Sequence, residues 1–175
     1  MNEVRERMLR RARTRALLLY WLVLPAAVIL FGLALDALFG WRHWPLSVAV
    51  LMVAGLLIAA GVLVIQRATA DLALLGGGTP APQDPAKRLV TGGSYAWCRH
   101  PMWLGYDLAA LGVVLLWRSP AMLLIAWPLF ILLQVRFLLF REEPRLERRF
   151  GDSYRDYRSR VPLLIPRPPR HRKEP

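Results

Sequence analysis

Residues 101–143 read PMWLGYDLAALGVVLLWRSPAMLLIAWPLFILLQVRFLLFREE, and this stretch decides the fold. Met102 to Trp117 is a run of sixteen residues whose only charge is Asp107. Arg118-Ser119-Pro120 supplies a turn, and Ala121 to Val135, extended by Phe137 to Phe140, is a second apolar run. Two such runs on either side of a turn predict a helical hairpin, with membrane helices over 102–117 and 120–140. At 1.5 Å per residue the first arm is about 24 Å long, short of a hydrocarbon core about 30 Å thick, so its start at Pro101 is expected in a protein-lined recess below the headgroups. Pro128 is expected to kink the returning arm.

Working towards the amino terminus, Ala16 to Leu35 and Pro45 to Ile65 are twenty and twenty-one residues without a charge. Each is long enough to cross a bilayer, which gives spans over 16–35 and 45–66. A cleaved signal peptide is the competing reading of the first run. That run exceeds the usual apolar length of such peptides, and no small-x-small cleavage site follows it. The expected architecture is an all-α membrane protein of about four transmembrane helices, the last two a hairpin, followed by a cytoplasmic amphipathic helical tail.

Charge agrees with this. Among 175 residues, 55% are hydrophobic, and 24 basic residues face 12 acidic ones. Met1 to Arg15 holds six Arg and two Glu, Arg136 to Pro175 holds twelve basic and six acidic residues, and the 120 residues between hold only ten charges. A nucleic-acid partner is not expected, because the arginines abut long apolar runs instead of covering a soluble scaffold. Arginine and lysine concentrate at both ends and in the connection 67–101, while Asp36 to Trp44 and the Arg118 turn carry one each; both termini and the middle loop are therefore assigned to the cytoplasm. The single cysteine, Cys98, cannot form a disulfide within the chain or by itself a structural zinc site, and no metal is expected.

The middle loop holds Gly76-Gly77-Gly78-Thr79-Pro80, which cannot continue a helix. A phosphate-loop reading of the glycines fails, since the Lys-Ser/Thr signature and a preceding strand are absent. After the hairpin, Leu146, Phe150, Tyr154, Tyr157 and Val161 recur at spacings of four, four, three and four, giving an apolar stripe on cytoplasmic helices over 141–166, with Asp152 expected to cap the second piece. A basic tail follows over 167–175.

Three polar groups fall where burial is costly: Arg99-His100 before the hairpin, Asp107 inside it, and Arg136 with Arg141-Glu142-Glu143 at its exit. Because a hairpin returns the chain to the side it left, entry and exit meet. Ionisable groups at membrane depth mark functional sites, although Arg99 and Glu142 could instead pair as interfacial charges, and Asp107 could cap a helix start or line a pocket.

At these residues the chain resembles the isoprenylcysteine carboxyl methyltransferase family, which is related to the phospholipid N-methyltransferases. The resemblance is carried by GGSYAWCRHPMWLG (92–105) and REEPRLERRFGDSYRDYRSRVPLLIP (141–166), with Arg-His-Pro-x-aromatic-x-Gly, Glu-Glu, Phe-Gly-x-x-Tyr-x-x-Tyr and Val-Pro-x-x-Ile-Pro as its motifs. It covers roughly Gly76 to Pro166. Ser94 stands where Gly-Pro-Tyr is commoner, and Trp103 replaces the usual Tyr, so no phenol hydroxyl is available there. Gly78-Thr79-Pro80-Ala81-Pro82 also resembles bacterial members, which implies the bacterial inner membrane.

The resemblance implies S-adenosylmethionine as cofactor and methyl transfer to a lipophilic acceptor entering from the bilayer. It assigns cofactor binding to Tyr95, Arg99, His100, Pro101, Trp103, Gly105, Glu142 and Glu143, and to Tyr154 and Tyr157. The two acids suit an ammonium or ribose hydroxyls, and Trp103, Tyr154 and Tyr157 suit the adenine. Arg136 matches a family arginine near the acceptor and would hold a carboxylate; Asp107 would serve an amine by taking its proton. The acceptor itself and the oligomeric state are left open. Two other readings compete: a sterol-type membrane reductase using NADPH, which shares a His-Pro and a similar ending but has more spans, and a non-catalytic membrane protein whose basic tail binds anionic lipid.

Overall fold

The computed structural model describes residues 26–80 and 85–168. The arginine-rich segment 1–15, the first ten residues of the expected span 16–35, and most of the tail 167–175 lie outside the described residues. All regular structure among the described residues is helical. We number the helices α1, Ala26–Phe39; α2, Val48–Gly76; α3, Pro101–Trp117; α4, Met122–Phe150; and α5, Asp152–Arg160. A single 3-10 turn, Gly93–Ala96, lies between α2 and α3.

Two of these helices are long and apolar enough to cross a membrane. α2 and α4 have 29 residues each, and their most apolar windows reach mean hydropathies of 3.0 and 2.2. Only 11% and 17% of those windows is buried, whereas the core helix of a soluble protein would be mostly covered. Leu56, Leu63, Leu132, Leu133 and Phe140 stand exposed along them.

The boundaries differ from the expected ones in instructive ways. α2 runs on to Gly76, ten residues past the expected end at 66, because Arg67 and Asp71 pair at i,i+4 with Nε to Oδ1 3.3 Å and the polar end remains helical. Gly77 then takes the left-handed conformation (φ 64°) that stops it. α4 continues without a break past 140 to Phe150, so residues 141–150 prolong the returning arm instead of forming a separate helix. Wider π-type turns occupy Met122–Ala126 and Leu138–Glu142. The first precedes Pro128, which has no N–H to offer an earlier carbonyl. The cap before α5 is Gly151, with no side-chain cap bond; Asp152 sits in the first turn and pairs with Arg155.

The described residues fall into two compact units. One combines residues up to Pro45 with Arg118–Phe130. Arg118 there takes φ 59°, and buried Asp36 of α1 accepts from Ser119 Oγ and from Ala121 N at 2.9 Å. Ser119 Oγ in turn accepts from Met122 N at 3.0 Å, so orphan donors at the start of α4 are satisfied.

The other unit combines Leu46–Trp117 with residues from Ile131 on. Its spine is the contact of α2 with α3, where small residues let the backbones approach: a Cβ on Gly105 would stand 2.7 Å from Gly61 O, and one on Gly112 2.7 Å from Ala54 O. This seam fixes which face of α3 remains for α4.

Candidate active site

The entrance to α3 is built by two segments distant in sequence. Arg99 N donates to Pro162 O at 2.8 Å, His100 N to Leu163 O at 3.2 Å, and Arg167 N to Trp97 O at 3.0 Å. The Val161-Pro162-x-x-Ile165-Pro166 motif thus lies along residues 97–100. The prolines keep its backbone out of a helix and leave its carbonyls free to accept. The loop is held from below by Asp71, whose Oδ2 accepts Ser94 N at 2.7 Å. Gly93 takes φ 61°, and a Cβ there would collide with the Asp71 carboxylate, which is why glycine occupies this place in the Gly-Gly-Ser motif.

Glu143 is the centre of a charge cluster. It is 1% exposed, Arg99 Nε donates to its Oε1 at 2.7 Å, His100 Nε2 lies 3.6 Å from the same oxygen, and Arg158 Nε lies 3.5 Å from Oε2. Only the Arg99 contact has hydrogen-bond geometry. The other two are ion-pair distances, and among the described residues His100 Nε2 and Glu143 Oε2 have no hydrogen-bond partner. Arg99 also donates to Val161 O at 2.6 Å and Arg158 O at 3.0 Å, tying the end of α5 to the start of α3.

Glu142, its neighbour in the chain, behaves differently. Trp103 Nε1 donates to Glu142 Oε2 at 3.2 Å and His100 Nδ1 lies 3.7 Å from Oε1, yet about a third of the side chain (34%) faces outward. The π-type turn Leu138–Glu142 spreads more residues over one turn and helps two consecutive acids reach the same neighbours. His100, Trp103 and Glu142 therefore form an acid, an imidazole and an indole within one small region, with the carboxylate still accessible.

The remaining expected residues divide. Pro101 opens α3, its missing N–H harmless at a first helical position. Tyr95, Tyr154 and Tyr157 come together, but as the buried core of the cap that α5 and the loop before α3 form: Tyr157 Oη donates to Tyr95 O at 2.7 Å, and the Tyr154 and Tyr157 rings meet edge to face at 6.1 Å. Tyr154 is 0% exposed and Tyr157 3%, so neither offers an open ring face, contrary to the expectation that they wall an adenine. Burial pushes all three phenols up, and the Glu143 charge adds to the rise at Tyr154. Gly105 lies on the α2 side of α3, away from Trp103. Arg136 is not brought to the cluster either: its guanidinium lies 5.5 Å over the Phe140 ring on an exposed face. Asp107 pairs with Gln134, whose Nε2 donates to Oδ2 at 2.8 Å.

A family model described as Phospholipid methyltransferase matches residues 49–153, which takes in nearly all of α2 and the whole of α3 and α4. The chain belongs to that family. Protein-S-isoprenylcysteine O-methyltransferase of Mus musculus is 38% identical over 81 residues, covering 45% of this chain and 27% of that protein. The protein of the same name from Schizosaccharomyces pombe is 41% identical over 81 residues, 45% of this chain and 33% of its own. Methanethiol S-methyltransferase of Mycobacterium tuberculosis is 36% identical over 77 residues, 44% and 30%. The chain thus spans about a third or less of the length of these curated relatives. No solved structure matches it. With its apolar helices, membership of this family makes the chain a membrane protein.

Three further residues around the site were not singled out by the sequence reading. Asp71 sat in a presumed loop, Gln134 within an apolar run, and Arg158 among many arginines. Only Gln134 left a trace, as the single amide between Ala121 and Val135.

Proposed function

We propose that this chain is a methyltransferase that uses S-adenosylmethionine to methylate a lipophilic acceptor. One observation carries the reading: Glu142 keeps an accessible carboxylate against His100 and Trp103, immediately beside Glu143, whose carboxylate is already engaged by Arg99. The accessible acid suits the ammonium or the ribose hydroxyls of the cofactor, and the indole suits its adenine or its sulfonium. Arg99 and Glu143 act behind them, fixing His100 and the cap.

When bound, S-adenosylmethionine supplies a methyl carbon already activated by a sulfonium, so the chain needs no nucleophile of its own. Its residues have to align the acceptor and exclude water. Cys98 takes no part: the thiol is 1% exposed and burial pushes it up to about 11. The names of the relatives, an O-methyltransferase and an S-methyltransferase, support the reaction class and differ in the atom methylated.

The same reading places four helical segments in the membrane with both termini cytoplasmic, in a bacterial inner membrane. Reporter fusions at 42 and 90 should fall on opposite sides. The decisive experiment is cofactor titration of the purified chain. S-adenosylmethionine should bind, and Glu142→Gln should weaken it about tenfold to a hundredfold, as expected from loss of one charge-assisted hydrogen bond of about 1.5–3 kcal/mol. No binding to the wild type, or unchanged affinity in a folded Glu142→Gln, would overturn the assignment.

A further inference from the structure

The face of α3 that presents His100 and Trp103 continues to Asp107, at spacings of three and four, and there the polar chemistry changes. Asp107 and Gln134 are 8% and 5% exposed. One hydrogen bond joins them, from Gln134 Nε2 to Asp107 Oδ2. Asp107 Oδ1 and Gln134 Oε1 are both buried and, among the described residues, accept no hydrogen bond. Among the described residues Asp107 enters no ion pair, whereas Glu143 has two arginines, Arg99 and Arg158, and the His100 imidazole around it. The pair is short of donors, and a buried acceptor left unmet carries its full desolvation penalty. Asp107 lies about 10 Å along the helix axis from His100 and about 6 Å from Trp103.

We propose that Asp107 and Gln134 form the subsite for the acceptor's headgroup and select one that donates hydrogen bonds, an ammonium above all, against a carboxylate. The inference rests on the methyltransferase reading for the word acceptor and adds the headgroup chemistry. An ammonium brings three donors, enough for both unmet oxygens, and a charge opposite to that of Asp107. A carboxylate brings only acceptors and a like charge. The chain's net charge of +12 pulls the other way, since a strongly basic surface draws anions, so a preference for the cation would have to come from this pair.

The test uses the full chain in neutral detergent without S-adenosylmethionine, titrated with dodecylamine, dodecanol and dodecanoate and followed by thermal stabilisation. The wild type should prefer the amine to the carboxylate by about tenfold or more, the effect of one charge-assisted contact. Asp107→Asn, which keeps the shape and can still bond Gln134, should abolish that preference; Gln134→Leu should reduce it and serves if the Asn variant does not fold. The alternative is a protonated Asp107 donating to Gln134 Oε1, which would close the pair on itself. An infrared carboxylic-acid band in the ligand-free wild type that vanishes in Asp107→Asn would establish that closure and overturn the proposal. A preference for dodecanoate, or the same order of affinities in Asp107→Asn, would overturn it as well. Because no cofactor is present, failure of S-adenosylmethionine to bind tells against the methyltransferase reading alone.

Discussion

The two faces of α3 are built on opposite principles. Towards α2 it presents Gly105, Ala109 and Gly112, with backbones so close that a single added methyl meets a carbonyl oxygen. Towards α4 it presents His100, Trp103 and Asp107, with hydrogen bonds reaching Glu142 and Gln134 and several polar atoms left unmet. The first face gains from shape alone and has nothing left to bind. The second holds polar groups in excess of their partners, which costs stability.

Glu143 offers the severest way to break this comparison, because it lies at the polar face yet acts as scaffold. Glu143→Gln leaves the Arg99 guanidinium, whose side chain is 9% exposed, without its countercharge. Loss of one partner of a buried pair costs about 3–5 kcal/mol, so the variant should lose its thermal transition or unfold in detergent before any cofactor effect can be read. If Glu143→Gln is as stable as the wild type while losing cofactor affinity, Glu143 belongs with Glu142 after all.

Gly105→Ala probes the opposite face. Its Cβ would stand 2.7 Å from Gly61 O, and backbone cannot rotate away as a side chain can. Overpacking of this kind costs about 1–3 kcal/mol, which should appear as a lowered thermal midpoint with cofactor affinity retained in the folded fraction. A normal midpoint together with lost affinity would return Gly105 to the cofactor site, where the family resemblance first put it.

Cys98 sharpens the contrast at the loop. Its thiol stays protonated until about pH 11 in the fold, against 9.0 for a free thiol, through burial. Stability contributed by the buried thiol is therefore complete below pH 9 and falls as pH rises towards 11. Iodoacetamide at pH 8 should label the folded chain far more slowly than the denatured one, and rapid native labelling would show that the loop opens.

The smallest effect is expected at Arg136. Its guanidinium stacks on Phe140 away from Glu143, so Arg136→Lys should shift stability by less than about 0.5 kcal/mol and leave turnover near the wild-type value. A large fall in methyl transfer with normal cofactor affinity would show that Arg136 swings to the acceptor in the working enzyme.

Much of the scaffold was legible in the sequence for simple reasons. Uninterrupted apolar length predicts helices in a membrane, because lipid leaves the backbone nowhere else to hydrogen-bond. A turn triplet between two such runs predicts the return of the chain, and the return brings residues 99–100 and 142–143 together, as found. Helix ends were less legible: Arg67 and Asp71 looked like the beginning of a loop, yet paired along the helix they extend it.

What the sequence determined by itself was the helical class, the family, and the company kept by Arg99, His100, Trp103, Glu142 and Glu143. Which of them stays accessible was decided by the tertiary structure alone. Adjacent acids are indistinguishable in one dimension, but the turn of α4 and the arginines of the cap enclose Glu143 and leave Glu142 open. Tyrosines at helical spacing read equally well as a cofactor wall or as a core, and only the packing of α5 on the loop made Tyr154 and Tyr157 a core. The physical reason is the same each time: composition and spacing fix what a residue can do, while burial and the count of donors and acceptors around it, which depend on contacts between residues far apart in the chain, fix what remains for it to do.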